Sequence, residues 1–250
     1  MVEGRVVIRA LREVGCSLGS TGVLVLCYHV VRSAARFASY LDVLTARGYT
    51  IVPLMRALAW LGGGEPLPTP TALLTFDDLD AGQLEHAVPV LAERGMPATF
   101  FPLAADLAAS TDHRRAVVAL ARAGHTIGAH THSHGPLPAL VGAEVRRELA
   151  DARRIVEDVT GRRPDAFSYP FGAWDARVAG LVAETGYQAA FTVDLGVVRR
   201  GDNPFGLRRA CVLGEPGPRE FGAFVSGVAP LPGALLAAWK IRERWLDLHA

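Results

Sequence analysis

The chain has 250 residues, half of them hydrophobic, with 26 basic against 25 acidic side chains and a formal charge of +1. That length suits one α/β barrel or two small domains around a large core. So even a balance gives no basic stripe for nucleic acid. Cys16, Cys27 and Cys211 lie too far apart for a zinc-type cysteine pair or a disulfide framework.

Residues 1–22 carry Val6, Val7, Ala10, Leu11 and Val14 at the spacing of one helix face, with Arg5, Arg9 and Arg12 elsewhere. The expectation is an N-terminal docking helix, with a membrane-surface helix as the alternative. The arginines interrupt any signal-peptide core, so the chain is expected to be soluble and cytoplasmic. Residues 23–28 read as a buried strand ending at His29, and Cys27 within it reads as a small core residue. Phe37, Leu41 and Leu44 then sit at helical spacing, stopped by Gly48. Residues 49–52 read as a strand and 54–61 as a short helix. The Gly- and Pro-rich stretch 62–70 is the clearest loop.

Residues 71–76 predict a second buried strand, followed by a helix through Leu84, Val88 and Leu91 that Pro89 can kink. A strand at 98–101, a helix around Val117 to Ala121 and a short strand before His130 follow. Val145, Leu149, Ala152, Ile155, Val156 and Val159 mark the strongest helix, closed by Gly161. A strand at 166–169, a helix ending at Gly186 and strands at 189–193 and 208–213 complete the pattern. Residues 228–250 read as a C-terminal helix. Its apolar run is too short to span a bilayer and is interrupted by Pro232 and Gly233. Alternating strands and helices with glycine at helix ends predict a parallel α/β sheet, with any site at the carboxyl ends of the strands. His29, Asp77, Asp78, His130, His134 and Pro170 all fall at such ends.

Asp77-Asp78 after a strand can simply cap the next helix. His130 and His134, four apart, are weak evidence alone. Together on one sheet they make two imidazoles and a carboxylate with open positions for water and substrate, a set that suits zinc. One Asp would ligate and the other stay free to take a proton, which points to hydrolysis by a metal-activated water.

These segments resemble the polysaccharide deacetylase family, also called the NodB-homology fold. Thr75-Phe76-Asp77-Asp78 is similar to its first motif, His130-Thr131-x-x-His134 to its second, and Phe167-Ser168-Tyr169-Pro170-Phe171-Gly172 to its third. Residues 95–101 and 124–128 are typical of the runs between them, and the likeness spans residues 23–227. It implies a distorted (β/α) barrel with Asp77 as base and Asp78, His130 and His134 as ligands of a divalent metal, zinc first. It also implies a backbone N–H at Phe171, beside Pro170, as oxyanion donor. The family's usual C-terminal His has no counterpart, since the late His249 adjoins the chain end. Residues 24–29 instead form an apolar strand ending in His29. That resembles the circularly permuted branch that includes poly-N-acetylglucosamine deacetylases, and it implies His29 as the general acid. The plain alternative is a structural His at a strand end.

Two departures stand out. Leu79 replaces the family's usual Gly after the Asp pair, where its side chain would narrow the site or reshape the loop. Ser168 replaces the Arg that often opens motif three. Arg209, in Leu207-Arg208-Arg209, resembles a late family Arg, which implies that it supplies that charge; the alternative is a surface or structural salt bridge. Trp174 reads as a sugar-groove residue or a core aromatic, and His125 as hydrogen-bonded structure. The resemblance implies removal of an N-acetyl group from an amino sugar. Rival expectations are a formamide or ureide on the same groups, and a non-catalytic glycan-binding relative motivated by Leu79.

Overall fold

The computed structural model describes residues 22–226. The expected terminal helices at 1–22 and 228–250 lie outside the described residues apart from Gly22, which is strand. Among the described residues, no helix is long and apolar enough to cross a membrane.

Two seven-residue strands, β1 (Gly22–Tyr28) and β3 (Thr71–Asp77), form the centre, paired in parallel from Val23↔Thr71 to Tyr28↔Phe76. Both are buried almost throughout, as expected of parallel strands covered on two faces. Between them run α1 (Ala34–Ala46), β2 (Thr50–Ile51) and α2 (Leu54–Leu61). Ser33 caps α1 by accepting the Arg36 N–H. After β3 come a π-helical turn (Gln83–Ala87), α3 (Val88–Glu93), β4 (Thr99–Phe101), α4 (Ala104–Ala109), α5 (Thr111–Arg122) and β5 (Thr126–Ile127). Then follow α6 (Gly142–Thr160), β6 (Ala166–Ser168), α7 (Ala176–Thr185), β7 (Ala189–Phe191), β8 (Val198–Arg199), β9 (Ala210–Cys211) and α8 (Pro218–Val225).

The larger sheet runs β5-β4-β3-β1-β8, with β2 beside the start of β3 and β9 beside the end of β1. β6 and β7 pair separately. Single parallel bridges extend the smaller sheet at both edges, from Phe167 to Ala129 just after β5 and from Phe191 to Leu207 in the segment leading into β9. The ring is therefore completed by bridges rather than by continuous ladders, which makes it a distorted barrel. Gly128 lets the first seam close. A Cβ there would sit 2.4 Å from the Phe101 ring and 2.8 Å from the Ala166 carbonyl oxygen.

Side chains alternate along the central strands. Leu24, Leu26, Leu74, Phe76 and Phe100 pack outward under the helices. Val23, Val25, Leu73, Phe101 and Phe191 pack together inside, where Leu54, Ala57 and Trp60 of α2 join them. Continuing that inner face in steps of two, β1 goes from Val25 to Cys27 and β3 from Leu73 to Thr75 to Asp77. The lumen thus turns from apolar to polar toward the carboxyl ends of the strands.

The structure corrects several expectations. The single helix after β3 begins as a π turn. The strand expected at 208–213 is only Ala210–Cys211. α4, α8 and the antiparallel β8 were not anticipated. His125 packs edge-on against Phe100 at 5.4 Å, and its Nδ1 has no hydrogen-bond partner among the described residues.

Candidate metal centre and active site

The carboxyl ends of β1, β3, β5 and β6 converge on one rim. Asp77 ends β3 on its inner face and is 1% exposed. Arg209, 0% exposed, forks onto it: Nη1 donates to Oδ1 at 2.8 Å and Nη2 to Oδ2 at 2.7 Å. Ser168 Oγ donates to Oδ2 at 3.0 Å and accepts from Arg209 Nη2 at 2.9 Å. Arg209 Nε donates to the Thr192 carbonyl at 2.8 Å. Burial is the largest influence and would raise the Asp77 pKa, but the adjacent guanidinium, with His130 and His29 adding to it, outweighs burial and holds the carboxyl far below the usual range. The surface reading of Arg209 is therefore overturned. It occupies the lumen and supplies the charge that Ser168, in place of an Arg, does not.

Asp78 follows with φ 70°, so its side chain leaves the inner face. Its Oδ1 lies 3.4 Å from His130 Nε2 and 3.5 Å from His134 Nε2. These three side chains offer one donor atom each within 4.8 Å of one another. The edges match those of a tetrahedron with metal–ligand bonds of about 2.0–2.1 Å, which is about 3.4 Å. The His130 Nδ1 sits 2.7 Å from the Ser168 carbonyl and must donate to it, leaving the Nε2 lone pair for a metal. Both His130 Nε2 and Asp78 Oδ1 are buried with no hydrogen-bond partner among the described residues. Such orphaned acceptors are costly unless a cation or water satisfies them. Burial, then the neighbouring His130, lowers the His134 pKa, which favours the neutral ligand form. The residues fit a divalent ion.

His29 follows β1 directly. Its Nε2 lies 3.8 Å from Asp77 Oδ2 and its Nδ1 3.8 Å from Cys27 Sγ. Its pKa is pushed up to about 9. Charge on the Cys27 sulfur raises it most; burial opposes this; the contact to that sulfur and the Asp77 carboxylate add to the rise. Phe171 has φ 57°, and its ring stands edge-on to His134 at 4.7 Å. The N–H groups of Gly172 and Ala173 close the turn started at Pro170 by binding Tyr169 and Pro170 carbonyls. The turn's own bonds leave the Phe171 N–H over. Trp174 stacks on Tyr169 at 6.1 Å, partly buried beside this rim.

Among the described residues, the non-glycine residues with positive φ are Asp78, Leu79, Thr131, His134 and Phe171. All lie on the rim, where backbone strain is held by its surroundings. Leu79 takes the left-handed conformation at φ 59° and is 2% exposed, its side chain packed in the outer core. It therefore leaves the site's mouth free. Two supporting residues were not legible in the sequence. Gln83 Nε2, buried in the π turn, donates to the carbonyls of His29 at 2.6 Å and Asp77 at 2.7 Å, tying β1 to β3. Glu148 of α6 accepts the N–H groups of His132 and Ser133, both at 2.9 Å, and the Ser133 hydroxyl at 2.8 Å. It fixes the loop that carries His130 and His134. A Gln in a π turn and a Glu facing a ligand loop carry no motif of their own.

Residues 64–190 match the family model described as polysaccharide deacetylase. The chain belongs to the polysaccharide deacetylase family. It is 25% identical over 216 residues to a Bacillus subtilis (strain 168) protein named as a polysaccharide deacetylase, YxkH, covering 82% of this chain and 76% of that one. A chitooligosaccharide deacetylase of Azorhizobium caulinodans is 29% identical over 128 residues, 48% of this chain and 58% of the relative. Among solved structures, IcaB from Ammonifex degensii superposes with a TM-score of 0.73 at 26% identity, over 85% of this chain and 100% of that one.

Proposed function

We propose that this protein is a zinc-dependent hydrolase that removes an N-acetyl group from an amino sugar. One observation carries the reading. The orphaned donor set Asp78, His130 and His134 lies beside a carboxylate, Asp77, that a buried Arg holds ionised. The relatives named as deacetylases of polysaccharide and chitooligosaccharide support the substrate class.

When bound, the divalent ion supplies Lewis acidity toward the acetamide carbonyl and the attacking water. Asp77 accepts the water's proton. Its Oδ1 takes a bond from Arg209 Nη1, whereas Oδ2 serves Arg209, Ser168 and Cys27, so Oδ1 keeps the open acceptor position. The Phe171 N–H donates to the oxygen that gains charge as the carbonyl becomes tetrahedral. His29, protonated at neutral pH by its raised pKa, gives its Nε2 proton to the departing amine. Acetate and a free amino sugar leave. Leu79, which motivated a glycan-binding relative without catalysis, is folded into the core and gives that reading no support.

Acetate release from zinc-loaded protein on N-acetylglucosamine oligomers tests the proposal, with N-formylated oligomers alongside. Asp77→Asn should lose about 10²–10⁴-fold, the usual share of a positioned base. Equal turnover in that variant removes Asp77 as base. Formate from the second substrate with no acetate from the first removes the acetyl assignment.

A further inference from the structure

A second set of donors meets Asp77 at Oδ2. Cys27 Sγ is 3.7 Å from Asp77 Oδ2 and 3.8 Å from His29 Nδ1, and His29 Nε2 is 3.8 Å from Asp77 Oδ2. One donor atom from each of the three lies within 4.8 Å of the others. None of them belongs to the Asp78, His130 and His134 set. A tetrahedral site with one sulfur at about 2.3 Å and nitrogen or oxygen at about 2.0–2.1 Å has edges of about 3.4–3.6 Å. The Cys27 to Asp77 edge is within a few tenths of an ångström of that, and so is the edge from either His29 ring nitrogen to its nearer partner; the remaining edge, from the one nitrogen that ligates, lies within 4.8 Å and closes with a small turn of the partly exposed imidazole. A thiol beside an imidazole and a carboxylate is a soft, mixed donor set that selects thiophilic d10 ions such as Zn2+ and Cd2+ over Mg2+ or Ca2+.

We propose that Cys27, His29 and Asp77 form a second, thiophilic metal site whose occupation shuts down the reaction. The metal reaches it past His29, the partly exposed member, whose side chain is 36% accessible. On binding, Cys27 ligates as the thiolate and His29 as the neutral imidazole, and the proton that the Cys27–His29 pair holds is released to solvent. Asp77 Oδ2 exchanges its Ser168 contact for the metal, and Ser168 Oγ keeps the bond from Arg209 Nη2 at 2.9 Å. Arg209 stays on the carboxylate through Oδ1. Cys211, paired opposite Cys27 in the β1–β9 ladder, lines the same end of the strands and adds a second sulfur to the surroundings. The site itself rests only on these contacts. The shutdown also rests on His29 and Asp77 being the acid and base of the proposed function, because a metal-held imidazole is neutral and no longer an imidazolium acid, and a cation on Asp77 Oδ2 takes away the basicity of Oδ1.

The full-length metal-free protein is titrated with Co2+ and followed by near-ultraviolet absorption and bound-metal analysis. The expected result is two equivalents bound and a thiolate-to-cobalt charge-transfer band, which the sulfur-free Asp78, His130 and His134 centre cannot produce. His134→Ala should retain the band and lose an equivalent. Cys27→Ser should lose both the band and an equivalent. His29→Ala, a change at a partly exposed side chain that tests the site without burying a new polar group, should weaken the band-forming affinity at least tenfold. A single equivalent without a band in the wild type overturns the site, as does a band that survives in Cys27→Ser. Turnover that continues with the band fully developed leaves the site standing and overturns the acid and base assignments instead.

Discussion

Replacing Arg209 by Met isolates what the fork on Asp77 contributes. The change keeps bulk in the lumen and deletes the two bonds to the carboxylate at 2.7 and 2.8 Å, together with those to Thr192 and Ser168. Unit charges about 4 Å apart attract by about 4 kcal/mol at an effective dielectric of about 20. Removing one partner of a buried pair costs about 3–5 kcal/mol, since the other charge is left without compensation. Denaturant unfolding at pH 7 should show a loss in that range. The pH dependence separates this cause from simple loss of packing. In the wild type the folded pKa of Asp77 is depressed, so its contribution is present above the unfolded value of about 3.9 and fades as pH falls below it. In Arg209→Met burial dominates and raises that pKa, so the variant regains stability as Asp77 protonates on the way from pH 7 toward 4.5. The deficit should therefore shrink over that interval, and Arg209→Met with Asp77→Asn should be more stable at pH 7 than Arg209→Met alone. A loss below about 1 kcal/mol, or one that is the same at pH 7 and 4.5, would refute the argument.

Glu148→Gln should keep the fold and weaken metal binding about 10–100-fold, read by competition with a chelator, because the ligand loop loses charge-assisted bonds. Unchanged affinity would show the loop holds itself. Leu79→Gly should be less destabilised in thermal unfolding than Leu79→Ala. Both lose buried side-chain contacts, but only glycine releases the left-handed penalty of about 1–2 kcal/mol; the reverse order would deny the strain. The alkaline limb of kcat/KM should fall near pH 9 as His29 deprotonates. His29→Ala should lack that limb. Because the folded pKa is raised, any stability His29 adds is complete below about 6.5 and lost as pH rises through about 9; a limb retained in His29→Ala would assign the ionisation elsewhere.

The barrel was legible where strands are long and buried on both faces. Residues 23–28 and 71–76 read as near-continuous apolar runs, and the structure pairs them throughout. It was not legible where elements are short. β8 has two residues and runs antiparallel, and α4 has six, too few for any period to register. The convergence of Asp78, His130 and His134 was readable because they lie in compact motifs at strand ends. For the lumen charge the sequence offered Arg209 as a candidate but not its burial, because it lies 132 residues from Asp77 and nothing local distinguishes a buried Arg from a surface one. Leu79 was read as an obstruction at the mouth. Only backbone geometry shows that it turns inward, since φ 59° sends the side chain away from where an extended residue would point.

Arg209 also reaches across the seam of the barrel. Its guanidinium binds Asp77 of β3, Ser168 of β6 and the carbonyl of Thr192 just after β7, and so grips both sheets where the smaller is extended by single bridges only. Parting the sheets would break the catalytic carboxylate's contacts and the barrel's closure in one event. The amides at the joints, Ala129, Ser168, Thr192 and Leu207, would then exchange with solvent through a smaller opening than those in the β1–β3 ladder. Metal at the Asp78, His130 and His134 centre would slow that exchange. Two of its donors follow β5 and the third follows β3, and His130 is anchored through Ser168 to the other sheet. Loading the site would tighten the whole ring, making the barrel's slowest breathing motion a direct report of whether the centre is filled.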